Sequence, residues 1–286
     1  APNGVLPAAS VPSPIARDVN IPTPPDLKVH ALSDFSIEDV FKYVNPIMLY
    51  GKHLGLKGSP ERLLREGHPK AVELYRHVGE LQSEILARRL MTARAVFRFF
   101  PAQSIGNRLA LYSSPQGGEP IEDFEFPRQN GGDHLCLSDY VAPKDFGRMD
   151  FVAMFVVTCG AGVRELSDQY RDAGDYLKSH ALQALAIESA EGFAELLHER
   201  IRAMWGFKDP AELTLKEKFQ AKYRGLRVSF GYPACPNLED QTKLFRLLDP
   251  EKNAGVTLTE GFMMEPEASV SAMVFHHPQA KYFSVG

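Results

Sequence analysis

Cysteine and tryptophan are scarce in this sequence, since its 286 residues include three cysteines and one tryptophan. The cysteines are Cys136, Cys159 and Cys235, and no two of them have the spacing of a metal or redox motif. An odd number of widely separated cysteines argues against a disulfide framework and is typical of a reducing compartment. The cysteine content therefore predicts a cytoplasmic protein.

Long apolar runs and an excess of positive charge are also missing. No apolar run approaches the roughly 20 residues of a transmembrane helix, and the N-terminus lacks the basic, apolar and small-residue order of a signal peptide. A net charge of -4 and a sequence pI near 6.2 argue against a nucleic-acid partner, for which a basic stripe is expected. We expect a soluble protein that binds neither membrane nor nucleic acid.

Proline dominates the N-terminal end of the chain. Residues 1–25 contain seven prolines and no aromatic residue, a composition typical of an extended linker. We therefore predict a linker over residues 1–26 and one ordered domain over residues 27–286. Because the chain begins with Ala-Pro, we also expect it to be a segment of something longer, although processing could explain the same terminus.

The apolar residues recur with helical spacing in some segments and with strand spacing in others. Helices are predicted over residues 36–44, 60–66, 68–87, 163–204 (broken near Gly174) and 238–248. Strands are predicted over residues 93–99, 108–112, 150–158, 255–260, 269–276 and 281–285. Helices grouped around strands that do not alternate with them favour an α+β fold with a largely antiparallel sheet.

One stretch carries the strongest signal, Arg227-Val-Ser-Phe-Gly-Tyr-Pro-Ala-Cys-Pro236. It begins with the alternation of a half-buried strand. A glycine then permits backbone angles that other residues avoid, and two prolines fix the loop that follows. A loop that has already lost conformational entropy is suited to binding a ligand.

This decapeptide resembles the Arg-x-x-x-Gly-Tyr-Pro-Ala-Cys-Pro motif of the activation (reactivation) domain of cobalamin-dependent methionine synthase. Further segments resemble the same family in the same order, so the resemblance covers roughly residues 30–286; they begin at Asn45, Gly174, Ala190 and His277. The resemblance implies a single C-shaped domain with a twisted, largely antiparallel sheet and long flanking helices. It also implies that the motif binds S-adenosylmethionine.

The resemblance assigns ligand contacts to individual residues. It implies that Arg227 takes the ligand's carboxylate, which a planar guanidinium binds in bidentate fashion, and that Glu191 receives the ammonium group. On a helical wheel Glu191 points away from the apolar face, so a solvated acid is the alternative, and a shallow surface groove would reconcile the two. Asn45 matches a position where the family has an acid or an amide that reaches the ligand.

The remaining implied contacts come from the loop and from the C-terminus. They are Gly231, Tyr232, Pro233, Ala234, Cys235, Tyr282 and Phe283. Tyr232 is expected near the ligand's methyl group, and strand alternation would turn one of Tyr282 and Phe283 to the core and the other to the adenosine. No histidine or acid is tied to Cys235 by spacing, so we expect a structural cysteine instead of a nucleophile.

The resemblance implies a function that depends on partners. S-adenosylmethionine would donate its methyl group to cob(I)alamin held by a cobalamin-binding domain, after reduction by flavodoxin or another reductase. The sequence lacks the Asp-x-His-x-x-Gly element of that domain and any zinc-cysteine site, so we expect the chain to hold neither cobalamin nor zinc. Alignment of the reactants is the expected contribution, with no catalytic residue and no metal ligand.

Two alternatives remain open at this stage. One is a non-catalytic module that senses S-adenosylmethionine. The other is a nucleotide-dependent enzyme that uses the turn Gly160-Ala-Gly162, which follows an apolar strand and precedes a helix. That turn lacks the third small residue of a dinucleotide-binding loop, because Glu165 occupies its place.

Overall fold

The central strand of the protein divides two hydrophobic cores. The computed structural model describes residues 13–286, and in it strand β5 (Asp150–Thr158) is buried at every position. Phe151, Ala153, Phe155 and Val157 face one core, whereas Val152, Met154 and Val156 face the other. Because successive side chains of a strand point to opposite faces, one continuous apolar strand serves both cores.

A seven-stranded antiparallel sheet is built outward from β5. The other strands are β1 (His30–Phe35), β2 (Ala93–Ile105), β3 (Arg108–Leu111), β4 (Glu122–Glu125), β6 (Leu226–Val228) and β9 (Ser269–Phe275). Their order is β4-β3-β2-β5-β9-β6, and β1 pairs with the first part of β2. Every pairing in this sheet is antiparallel. A separate hairpin joins β7 (Thr257–Leu258) and β8 (Met264–Glu265).

Helices cover both faces of the sheet. They are α1 (Ile37–Phe41), α2 (Pro60–Arg65), α3 (Pro69–Arg88), α4 (Val163–Asp172), α5 (Tyr176–Met204), α6 (Leu215–Phe219), α7 (Gln241–Leu248) and α8 (Pro250–Ala254), with a π-helical segment at Ile47–His53. The 29-residue α5 is buried along most of its length because alanines let it approach the sheet closely. Helix α5 carries Glu191 and other residues of the candidate site, so its packing fixes their positions.

The N-terminal segment lies against the domain. Ile15 is buried, Ala16 forms backbone hydrogen bonds with the side chains of His277 and Gln279 (2.8 Å each), and Trp205 Nε1 donates to Pro22 O at 3.0 Å. Residues 13–26 contain no helix or strand, yet they bond to the domain. The rest of the predicted linker, residues 1–12, lies outside the described residues, and the boundary at residue 26 stays a prediction.

The predicted α+β fold class is confirmed, and the differences concern single elements. Residues 281–285 do not form a strand; their backbone bonds instead to Tyr140, Gln129 and Asn130. Helix α1 ends at Phe41, four residues before Asn45, and the π-helical segment was not predicted. None of the helices in residues 13–286 has the length and apolarity needed to cross a membrane.

Candidate functional site

A groove of about 280 Å³ lies between α5, the π-helical segment and the start of β6. Three of the predicted site residues, Asn45, Glu191 and Arg227, line it together. Glu188, Glu191 and Glu195 of α5 all face the groove because residues spaced by three and four positions share one side of a helix. The groove therefore combines one arginine with three carboxylates.

Arg227 is held from inside the protein by one of its terminal nitrogens. Nη1 lies 3.2 Å from Glu195 Oε2 and 3.4 Å from both Ala194 O and His198 Nδ1. Burial acts to lower the pKa of Arg227, but the Glu195 carboxylate and the nearby tyrosines outweigh burial and raise it. Nε and Nη2 make no hydrogen bond within residues 13–286, so both remain able to donate to a ligand.

Behind Arg227 lies a column of buried polar side chains. His198 is fully buried, and desolvation, followed by the charges of Arg202 and Arg227, holds its pKa well below the ordinary value. The neutral imidazole can therefore accept a hydrogen bond from Arg227 at Nδ1. Tyr223 packs edge-on against His198 at 4.9 Å and under the Arg202 guanidinium at 3.8 Å. This column restricts where the Arg227 guanidinium can lie.

Glu191 as a whole is accessible to solvent, but its carboxyl group lies in the groove with protein atoms around it. This partial desolvation raises the pKa of Glu191 above its ordinary value of 4.5, and the charges of Glu188 and Glu195 raise it further, against Arg227 and Lys52. A cationic partner would stabilise the ionised form of a carboxylate in this setting. The solvated position and the shallow groove anticipated from the helical wheel are both present.

The wall opposite α5 is fixed by a close backbone approach. Asn45 Oδ1 accepts from Ile47 N at 3.0 Å and so begins the π-helical segment, a type of distortion that is frequent at functional sites. A Cβ atom at Gly192 would lie 2.8 Å from Tyr43 O and 3.2 Å from Val44 N. Only glycine at position 192 lets this wall approach the groove so closely.

Replacing Gly192 with alanine is expected to push residues 43–45 away from α5. We expect Gly192→Ala to lower the free energy of unfolding by about 1 to 3 kcal/mol, because the clash is with backbone and cannot be relieved by a rotamer change. Gly79→Ala is the matched control: it lies inside α3, a Cβ there meets nothing within 4 Å, and it should stabilise by about 0.5 to 1 kcal/mol. Urea unfolding measures both, and equal effects would contradict the close-approach explanation.

The loop after β6 folds back on itself. Gly231 has a φ of 90° and donates to Cys235 O at 2.8 Å, while Cys235 N donates to Tyr232 O at 2.8 Å. Ala234 and Cys235 are buried, and burial raises the pKa of the Cys235 thiol to about 12, which agrees with a structural cysteine. Pro233 is exposed, and Tyr232 is half-buried against the core, so the loop offers Pro233, part of the Tyr232 ring and some of its backbone to a ligand.

Tyr282 and Phe283 have the opposite environments that alternation predicted, although no strand is present. Phe283 is buried beside Tyr140, with ring centroids 6.4 Å apart. Tyr282 is 40% exposed, its hydroxyl donates to Arg227 O at 2.6 Å, and its ring meets Tyr232 edge-on at 5.5 Å. Tyr232 and Tyr282 thus form an aromatic pair next to Arg227, whereas the Phe283 side chain belongs to the core.

Several groove residues were not found from the sequence. Glu188 is buried with its Oε1 2.8 Å from His53 Nε2, and Glu195 contacts Arg227. The spacing of the three glutamates on one helix face could have indicated a shared surface. The contacts of His53 and Lys52 depend on the π-helical segment, which has no signal in the apolar pattern.

The turn Gly160-Ala-Gly162 has a packing explanation. A Cβ atom at Gly160 would lie 2.5 Å from Pro266 Cβ and 3.3 Å from Ala268 Cβ. The charged residues that line the pocket beside this turn are Glu165, Glu265, Glu267 and Arg164, and Arg164 already pairs with Glu265 at 2.9 Å. The pocket is therefore acidic overall, and carboxylates repel phosphate. The antiparallel sheet also lacks the parallel strand–helix units of nucleotide-binding folds. The nucleotide-enzyme alternative therefore has no support from the described residues.

Comparison with known protein sequences assigns the chain to a family. A family model described as vitamin B12-dependent methionine synthase, activation domain, matches residues 36–286, so the chain belongs to this family of activation domains. Methionine synthase of Mycobacterium tuberculosis (strain ATCC 25618 / H37Rv) is 31% identical over 291 residues, which cover 96% of this chain and 24% of that protein. The chain thus spans about a quarter of the length of this relative.

A solved structure shares the fold. The crystal structure of the MetH reactivation domain bound to AdoHcy is 33% identical to this chain, with a TM-score of 0.87, and the match covers 94% of this chain and 84% of that one. The family predicted from the decapeptide and the predicted fold class are both confirmed.

Proposed function

We propose that the chain binds S-adenosylmethionine in the Arg227 groove and provides its methyl group for the reactivation of a cobalamin-dependent methionine synthase. The observation that carries this proposal is the arrangement of Arg227 and Glu191 in one groove. Two of the guanidinium nitrogens have no acceptor within residues 13–286, and Glu191 forms no close ion pair there, although Arg227 and Lys52 act on its charge from a distance. An α-amino acid presents the complementary pair of charges. The solved relative carries AdoHcy, the product of methyl donation from this ligand.

Each part of the ligand has a partner among the described residues. Arg227 would bind the carboxylate through Nε and Nη2, and Glu191 and Asn45 would receive the ammonium group. The adenosine would extend out of the groove toward the pair formed by half-buried Tyr232 and exposed Tyr282. The accessible part of these rings suits a contact with a purine. The backbone of residues 231–235 would line the path between the two ends.

The residues here position the ligand without moving a proton. The nucleophile would be the reduced cobalamin of a partner domain, which would take the methyl group as the carbon–sulfur bond of the sulfonium breaks and leave S-adenosylhomocysteine in the groove. The groove must hold the methyl group in line with the incoming nucleophile, an effect of orientation. Helix α5 and β6, both anchored in the core, supply that rigidity.

The proposed partners follow from the reaction. A cobalamin-binding domain must present its cofactor to the groove, and a flavodoxin-like or other reductase must supply an electron. Contacts of this kind between domains are modest and polar. The proposal includes the domain boundaries given above, with a linker before residue 27, and a cytoplasmic location.

Calorimetric titration tests the ligand. We expect S-adenosylmethionine to bind the chain with one site, and S-adenosylhomocysteine to compete for the same site. NAD and ATP serve as controls, and neither should bind. Absence of heat with S-adenosylmethionine, in a sample whose thermal unfolding is cooperative, would contradict the proposed site.

Affinity for S-adenosylmethionine should depend on pH through Glu191. The pKa of Glu191 is raised. As the pH falls, its carboxylate therefore becomes protonated at a higher pH than that of an ordinary glutamate. The ligand's own carboxyl group ionises near pH 3.5 and stays charged over this range. We therefore expect affinity to be full above the raised pKa and to fall below it by at most about tenfold per pH unit, as one linked proton requires.

Glu191→Gln is the control for this pH dependence. It keeps the size of the side chain but cannot ionise, so it should bind weakly, with an affinity that changes little over the pH range in which Glu191 of the parent protein titrates. A parent protein whose affinity is constant over this range would show that Glu191 does not contact the ammonium group.

A further inference from the structure

The Glu195 carboxylate already pairs with the Arg227 guanidinium, the group that is proposed to bind the ligand's carboxylate. Glu195 Oε2 lies 3.2 Å from Arg227 Nη1, and the two side chains are 7% and 14% exposed. All of the internal acceptors of Arg227, including Ala194 O and His198 Nδ1, converge on Nη1. A ligand carboxylate on Nε and Nη2 would therefore share one guanidinium with Glu195.

Arg227 is the one partner of the Glu195 side chain within residues 13–286. Glu195 Oε1 is buried without a hydrogen-bond partner, as is His198 Nε2 beside it. A carboxylate that served only to support the fold would be expected to have both oxygens bonded, since an unpaired buried oxygen is costly. The arrangement instead indicates that the role of Glu195 is to neutralise the charge of Arg227.

We propose that Glu195 is an internal counter-ion of Arg227 that competes with the ligand's carboxylate and thereby limits the affinity of the site. This inference rests on the proposed function. Two carboxylates on one guanidinium repel each other at short range, and Arg227 gains less from the ligand's charge because Glu195 has already neutralised it. Glu195 thus weakens the binding of every ligand that carries a carboxylate, the product S-adenosylhomocysteine included, and favours product release.

Glu195→Gln tests this role because glutamine keeps the size and one acceptor oxygen but removes the charge. The probes are S-adenosylmethionine and decarboxylated S-adenosylmethionine, which differ only in the carboxylate. We expect the variant to bind S-adenosylmethionine about threefold to fivefold more tightly and the decarboxylated ligand somewhat more weakly. The preference for the carboxylate, expressed as the ratio of the two dissociation constants, should rise by about tenfold.

Glu188→Gln is the matched control. Glu188 is a buried glutamate of the same helix that lines the same groove and pairs with His53 instead of Arg227. We expect Glu188→Gln to change the ratio by less than about twofold, because Glu188 does not pair with the guanidinium proposed to bind the ligand's carboxylate. Its loss acts on the two ligands only through their difference in net charge, an effect that solvent and salt screen. A ratio that is unchanged or reduced in Glu195→Gln, or raised equally in both variants, would overturn the counter-ion role.

A structure of the unmodified chain with S-adenosylmethionine gives a readout that needs no variant. The ligand carboxylate should lie within hydrogen-bond distance of Nε or Nη2, with Glu195 still paired to Nη1. A ligand carboxylate bonded elsewhere, or one that replaces Glu195 at Nη1, would overturn the inference while the proposed function stands. Failure of the unmodified chain to bind S-adenosylmethionine would overturn both.

Discussion

Arg227→Ala is expected to weaken the binding of S-adenosylmethionine by about 30-fold to 1,000-fold. The change removes a charge-assisted, partly desolvated contact to the ligand's carboxylate, worth about 2 to 4 kcal/mol, and each 1.4 kcal/mol is about tenfold in affinity. Calorimetry at 25 °C measures the dissociation constants of both proteins. Equal affinities would show that the ligand's carboxylate is not bound by Arg227.

The same substitution should also reduce the free energy of unfolding. Arg227 is the partner of buried Glu195, so its loss leaves a buried charge unpaired, at a cost of about 3 to 5 kcal/mol. The double variant Arg227→Ala, Glu195→Gln removes both charges. It should regain much of the stability and none of the affinity, which separates the two roles in a urea unfolding experiment.

Asp150→Ala is expected to cause a large loss of stability, about 3 to 5 kcal/mol. The Asp150 side chain is 1% exposed, with Oδ1 2.7 Å from His276 Nε2 and from Phe151 N, and with Oδ2 accepting from Ala142 N at 2.8 Å. Alanine would leave these buried donors without an acceptor, and each such donor costs about 1 to 3 kcal/mol. Denaturant unfolding at pH 7 measures the loss.

Asp18→Ala provides the comparison for Asp150→Ala. Asp18 pairs with Arg148 at 2.5 Å, but its side chain is 90% exposed, and exposed ion pairs contribute about 0 to 1 kcal/mol. The two substitutions remove the same group from opposite environments. If Asp150→Ala cost no more than Asp18→Ala, the buried contacts of Asp150 would not stabilise the fold as the geometry indicates.

Local patterns were sufficient to predict much of the fold and to select three residues that line one groove, Asn45, Glu191 and Arg227. Strand Asp150–Thr158 was predicted to the residue because it is apolar on both faces and bounded by polar or small residues. Arg227, Tyr232 and the turn at Gly231 follow one another in the chain, so one motif identifies them. The helical wheel also indicated that Glu191 lies on the outer side of α5.

Contacts between distant parts of the chain could not be predicted in this way. The pairing of Glu195 with Arg227 joins residues 32 positions apart, and it depends on how α5 lies over β6. Residues 281–285 have a strand-like pattern, but Gln129, Asn130 and Tyr140 take up their backbone groups, and no neighbouring strand is needed. The sequence pattern shows which side chains are apolar. Which groups bond to the backbone depends on tertiary contacts, which the pattern does not contain.

The visible spectrum of cobalamin tests methyl donation most directly. The chain would be added in trans to a cobalamin-loaded fragment of methionine synthase with S-adenosylmethionine and a low-potential reductant, with Arg227→Ala as the control. We expect the cob(II)alamin band to give way to that of methylcobalamin, at a rate that rises with the concentration of the chain and is strongly reduced for Arg227→Ala. An unchanged spectrum at saturating chain, ligand and reductant, with ligand binding intact, would contradict methyl donation and favour a module that only senses S-adenosylmethionine.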